Sequence, residues 1–144
     1  MSGMKQRLLL IRGLGHSGTT ILDLALGAHP QITGLGEAVR LLEKPAAQDG
    51  HRGPVQLRGD LRFQRHCTCG LVADACPVWG PMLRWLPDHD DQPLPQKLKR
   101  LMSELEISGV PSARESWVVE SYQDDFMLPF LEDPALEIRV IHLT

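Results

Sequence analysis

The stretch Gly13-Leu-Gly-His-Ser-Gly-Thr-Thr20, continuing as ILDLALGAHP to Pro30, decides how the chain is read. It has the outline of a phosphate-binding loop running into a helix. The pattern for such loops is G-x-x-x-x-G-K-[ST]. Gly13, Gly18 and Thr20 fill the fixed positions, but Thr19 stands where the lysine belongs. The glycines let successive backbone N–H groups turn toward one anion. The helix behind them adds its partial positive charge and the unpaired donors of its first turn. The hydroxyls of Thr19 and Thr20 are further donors. Without the lysine, the charge that clamps β- and γ-phosphates is missing, and with it the usual case for a magnesium nucleoside triphosphate. A smaller anionic group suits the loop. The plain alternative is a glycine-rich turn that only starts a helix; a strand before and a helix after weigh against it.

On the N-terminal side, Arg7 to Arg12 (RLLLIR) suits a buried strand or a helix fragment, and the Gly13 boundary favours the strand. Thr19 to Ala28 reads as a helix. Ile21, Leu22, Leu24, Ala25 and Leu26 make it apolar on most sides, which predicts a well-buried element. His29-Pro30 ends it, because a residue before proline is pushed out of the helical region. Glu37 to Glu43 reads as a short helix. Residues 45–60, with two prolines and three glycines, read as a loop or mobile insertion. Pro95 to Ile107 places Leu98, Leu101, Met102 and Leu105 on one helical face, with Gly109 at its exit. Ser116 to Glu120 reads as a strand, Asp124 to Leu131 as a helix, and Glu137 to Leu143 as a third strand.

Strand–loop–helix units of this kind predict an α/β fold: a three-layer, P-loop-like parallel sheet with flanking helices. Residues 1–144 are expected to form one domain, with a loop or lid insertion at 45–94. The sequence stops at Thr144, directly after the last strand. Open parallel sheets carry their ligand loops at that end of a strand. The expectation is therefore the N-terminal part of a longer domain, truncated at its C-terminus.

Composition excludes several classes. A net charge of -3 gives no electrostatic case for nucleic acid or an anionic membrane. No segment approaches the roughly 20 apolar residues of a membrane span, and Leu8–Ile11 is too short for a signal-peptide core. A cytoplasmic protein is expected. Three clustered cysteines, Cys67, Cys69 and Cys76, do not suggest a disulfide scaffold. With His66 they offer four S/N ligands of the kind zinc takes, but C-x-C-x6-C lacks the paired C-x2-C spacing. Reduced thiols and no metal are expected. Trp79, Trp85 and Met82 would pack this segment down or face an apolar acceptor. Lys97, Lys99 and Arg100 read as a solvated helix face.

The segment from Gly13 to Glu37 resembles the 5′-phosphosulfate loop of sulfotransferases that use 3′-phosphoadenosine 5′-phosphosulfate (PAPS). That loop reads approximately [R/K]-S-G-T-[T/S], followed by a helix, a His-Pro and often a Gly-Glu. Ser17-Gly18-Thr19-Thr20, His29-Pro30 and Gly36-Glu37 match it. CTCGLVADACPVW, from Cys67 to Trp79, is similar to a C-x-C-G…C-P-x-W insertion of bacterial sulfotransferase-like proteins, and WVVES and EIRVIHLT resemble the next two family strands. The resemblance implies a magnesium-independent sulfuryl transfer from PAPS to a hydroxyl or amine. Gly15, His16, Ser17, Gly18, Thr19 and Thr20 would hold the phosphosulfate.

The same resemblance sets His16 on the bridging oxygen, where it is either an imidazolium kept charged by the anion or a neutral donor. It makes Glu37 the general base that takes the acceptor proton, unless that side chain only caps its short helix. Three positions depart from the family pattern. His16 replaces the usual arginine or lysine, Gln123 stands where many relatives have lysine, and the 3′-phosphate segment, Arg-Asp…Ser after a strand like VIHLT, has no counterpart. Two other functions remain open: a P-loop kinase or NTPase, and a non-catalytic protein that binds an adenosine bisphosphate.

Overall fold

A consecutive apolar run such as Leu8–Ile11 suits a strand covered on both faces, and that is where it lies. The computed structural model describes residues 5–13, 18–48, 50, 53–63, 67, 69–109, 116–121 and 128–144. In chain order they form β1 (Gln6–Gly13), α1 (Thr19–Gly27), β2 (Ile32–Gly34), α2 (Val39–Leu42), α3 (Pro54–Phe63), a 3-10 turn (Ala73–Ala75), α4 (Trp79–His89), α5 (Leu94–Ile107), β3 (Trp117–Glu120), α6 (Leu128–Leu131) and β4 (Leu136–Leu143). The chain divides into two compact units, Met1–Val39 with Gly109–Thr144, and Arg40–Ser108. Among the described residues, no helix is long and apolar enough to cross a membrane.

The first unit is α/β. Its four strands run parallel in the order β2-β3-β1-β4. Leu8 lies between Val118 and Ile138, and Leu10 between Glu120 and Val140. Leu8, Leu10, Ile11, Val118 and Val119 are buried at its centre. The three strands expected from the sequence are β1, β3 and β4. The fourth, β2, is only three residues long and shows no period of its own. Helix α6 begins at Leu128, and the earlier part of the helix expected from Asp124 lies outside the described residues.

The expected deep burial of α1 is corrected. Ile21 and Leu24 are 74% and 70% exposed, whereas Thr19 and Asp23 are buried. The cause is a close approach on the other face of the helix. A Cβ on Gly27 would stand 3.3 Å from the Gly34 nitrogen, and one on Gly34 would stand 2.7 Å from Asp23 Oδ1. Thr19, Asp23 and Gly27 recur every four residues and so share one side. Two glycines let that side settle onto the strand, and the apolar residues are left facing outward.

The second unit is helical, which corrects the expectation of a loop over 45–60. Helix α3 starts at Pro54, a residue whose fixed φ and missing N–H suit the first helical position. Helix α4 follows from Trp79, so the segment 45–94 contains regular structure. Helix α5 buries Leu98, Leu101, Met102 and Leu105 as its period predicts. Lys97 corrects the solvated-face expectation, being only 1% exposed. Its Nζ donates to Leu42 O at 2.8 Å, Asp90 O at 2.9 Å and Asp90 Oδ1 at 3.2 Å. Arg58 donates to Leu41 O at 2.9 Å, Glu43 O at 2.6 Å and both Asp90 carboxylate oxygens. The orphan carbonyls at the end of α2 are thus taken by two cations. Burial pushes the Asp90 carboxyl up, but Arg58 and Lys97 together hold it below its ordinary range. Burial pulls Lys97 below its own ordinary range, against the opposing pull of Asp90.

Candidate functional site

In an open parallel sheet, ligands collect outside the carboxyl ends of strands, where the connections diverge. Here that point lies at β1 and β3. From β1 the chain leads through α1 to β2, on the far side of β3; from β3 it leads to β4, on the far side of β1. The segment Gly13–Thr20 starts from the carboxyl end of β1. Leu14, Gly15, His16 and Ser17 lie outside the described residues.

The far end of the segment is described. Gly18 has φ 95°, the left-handed region that favours glycine, and is the N-cap of α1. Among the described residues, no side-chain hydrogen bond caps the helix there. A capping Ser or Asp would satisfy a first-turn N–H with its own side chain; glycine has none to offer. The Gly18 carbonyl accepts from Leu22 N–H at 3.0 Å, so the helical ladder starts at once. Thr19 is buried and Thr20 exposed.

Glu37 reaches the same edge of the sheet from another element. Gly36, with φ 63°, turns the chain out of β2, and its carbonyl accepts from Ser121 N–H at 2.8 Å. Leu35 N–H donates to Val119 O at 2.9 Å. The backbone next to Glu37 is therefore tied to the end of β3, and the Glu37 side chain is exposed. Of the residues named from the sequence, Gly18, Thr19, Thr20 and Glu37 are all placed at the carboxyl end of one sheet.

Three polar residues that hold this edge together were not singled out from the sequence. Asp23 is 4% exposed and accepts hydrogen bonds from the Ser121 hydroxyl and the Gly36 N–H. It thereby joins α1, the turn before Glu37 and the end of β3. Its Oδ2 is buried and, among the described residues, has no hydrogen-bond partner. Burial raises the Asp23 carboxyl above its ordinary range, and the two hydrogen bonds only partly oppose this. Glu120 is 1% exposed and accepts from Val39 N–H, the first residue of α2, at 3.3 Å. The signals were present: an acid inside the apolar run TTILDLALG, and two polar residues closing WVVES.

In the second unit, Cys67, Cys69 and Cys76 converge, their sulfurs all within 4.8 Å of one another. A cleft of about 360 Å³ in the same unit is lined by Leu83, Pro87 and the Arg58–Asp90 pair, whose charges already satisfy each other. Gln123 and His66 lie outside the described residues. No protein-family model, curated protein or solved structure matches the chain.

Proposed function

We propose that the chain is a P-loop-like, sulfotransferase-type protein that takes the 5′-phosphosulfate of PAPS at Gly15–Thr20. The observation that carries this is the placement of Gly18 and Thr19. A left-handed glycine without a side-chain cap opens α1 behind the central strand, at the point where the connections diverge, and no lysine precedes Thr20. Backbone donors and a helix N-terminus suit a single compact anion.

Sulfuryl transfer then follows from positioning and electrostatics. The acceptor oxygen or nitrogen attacks sulfur in line. The bond from sulfur to the bridging oxygen breaks, and the electron pair stays on the 5′-phosphate of adenosine 3′,5′-bisphosphate. Glu37 takes the acceptor proton, and His16 donates a hydrogen bond to the leaving oxygen. Asp23 acts on neither reacting group; through Gly36 and Ser121 it fixes the edge that carries them.

The test is an equilibrium titration with adenosine 3′,5′-bisphosphate, with and without magnesium, beside Mg-ATP. Saturable, magnesium-independent binding is expected. Gly18→Asp should weaken it at least about tenfold, because φ 95° strains any side chain and the new carboxylate repels the phosphate. Incorporation of radiolabelled sulfate from PAPS into a phenol, glycan or amine would support the transfer step. Preferential, magnesium-dependent binding of ATP would instead indicate a kinase or NTPase, and binding indifferent to Gly18→Asp would remove the loop from the site.

A further inference from the structure

We infer that Cys67, Cys69 and Cys76 form a three-thiolate zinc site that fastens the Cys67–Gly70 turn to the start of α4. Spacing along the chain argues against a shared ion, but the fold brings the third cysteine back to the first two. Cys67 Sγ and Cys76 Sγ are 3.5 Å apart, and all three sulfurs lie within 4.8 Å of one another. Two sulfurs bound to one zinc at about 2.3 Å stand about 3.8 Å apart in a regular tetrahedron. The cluster needs only small side-chain adjustments to accept the ion.

The backbone around it is built for the purpose. Cys67 N–H donates to Leu71 O at 2.7 Å, and Gly70 N–H returns to Cys67 O at 2.9 Å. Gly70 has φ 90°, so the turn closes through a left-handed glycine directly after Cys69. On the other side, Cys76 is buried and its sulfur accepts from Trp79 N–H at 3.5 Å, with Val78 N–H as a second donor. Such outer contacts orient a metal ligand. Three thiols alone would meet as weak donors and weak acceptors with no charge to hold them.

Soft thiolates at tetrahedral spacing select zinc among the common divalent ions. Cys69 is exposed, so the fourth position opens to solvent. Binding displaces the thiol protons and closes the segment from Cys67 to Cys76 into a loop. The site lies in the helical unit and takes no part in sulfuryl transfer, so it stands or falls independently of the loop at Gly18.

The experiment uses the whole chain, purified under reducing conditions without chelator. Elemental analysis should find about one zinc per chain, and a strong chelator should remove it and lower the melting temperature. Cobalt added to the stripped protein should give intense sulfur-to-metal charge-transfer bands together with tetrahedral d–d bands. Cys69→Ser changes an exposed residue outside the packed core. It should weaken zinc binding by more than the about 10–100-fold typical of losing an outer partner, with the circular-dichroism spectrum of the zinc-loaded protein retained. A folded wild-type chain that binds neither zinc nor cobalt would overturn the inference. So would a Cys67–Cys76 disulfide, found by mass spectrometry, that forms equally in the presence of zinc.

Discussion

At Gly34 a single hydrogen in place of a side chain decides how closely α1 can lie on the sheet. A methyl group there would meet Asp23 Oδ1 at 2.7 Å and Asp23 O at 3.2 Å. Neither neighbour is the loose end of a long side chain, so the helix must move. Gly34→Ala is expected to destabilise the chain by about 1–3 kcal/mol, the usual range for overpacking, read as a lower urea midpoint at unchanged slope. Asp23 gives a second prediction of opposite flavour. Its carboxyl is raised by burial, so its contribution to stability is complete below the unfolded-state value of about 3.9 and is lost as pH rises through the folded-state value. The melting temperature of wild type minus that of Asp23→Asn should therefore fall as pH rises above about 4. Parallel curves would show that the carboxyl is not strained by burial.

Among the elements, α2 depends on residues far from it in sequence. It is four residues long, too short to be stable by itself. Glu120 takes the N–H of its first residue, and Arg58 and Lys97 take carbonyls at its end. Asp90 pairs with both cations, at 2.7 Å from Arg58 and 3.2 Å from Lys97. Removing only the carboxylate charge leaves two cations facing carbonyls alone. Asp90→Asn should cost about 3–5 kcal/mol, the range for breaking one side of a buried pair. The pH dependence has a definite sign. Asp90 is held low, so its stabilisation is present above about 3.9 and disappears as pH falls through its folded-state value. Acid titration of unfolding should be steep in this range for wild type and flatter for Asp90→Asn.

For the molecule as a whole, the sheet edge at β4 is the feature with consequences in solution. Among the described residues, β4 pairs only with β1, and Val140 on it is 43% exposed. An uncovered edge with apolar side chains is a template for pairing with another chain. Association of the 144-residue chain should therefore rise with concentration, and Val140→Lys should reduce it, measured by light scattering or sedimentation. Since the position is exposed, the melting temperature should change little. Undiminished association of the Val140→Lys variant would show that another surface is responsible.

Much of the first unit was legible because its signals are local. The apolar run at Leu8–Ile11, the glycine that follows it and the β-branched run near Ile138 each identify a strand from a few neighbouring residues. The parallel α/β class follows from their alternation with helices. Gly18 was legible for the same reason, since a left-handed turn at a helix start is a property of one residue. The orientation of α1 was not, because it depends on Gly27 meeting Gly34 and on Asp23 finding Ser121, a residue from a different strand. The burial of Lys97 and the helix at Pro54 likewise depend on partners that periodicity does not encode. The three cysteines make the same point most sharply. Their spacing is fixed by the sequence, but their convergence depends on how the Gly70 turn and the start of α4 fold back on each other, and only the tertiary structure decides that.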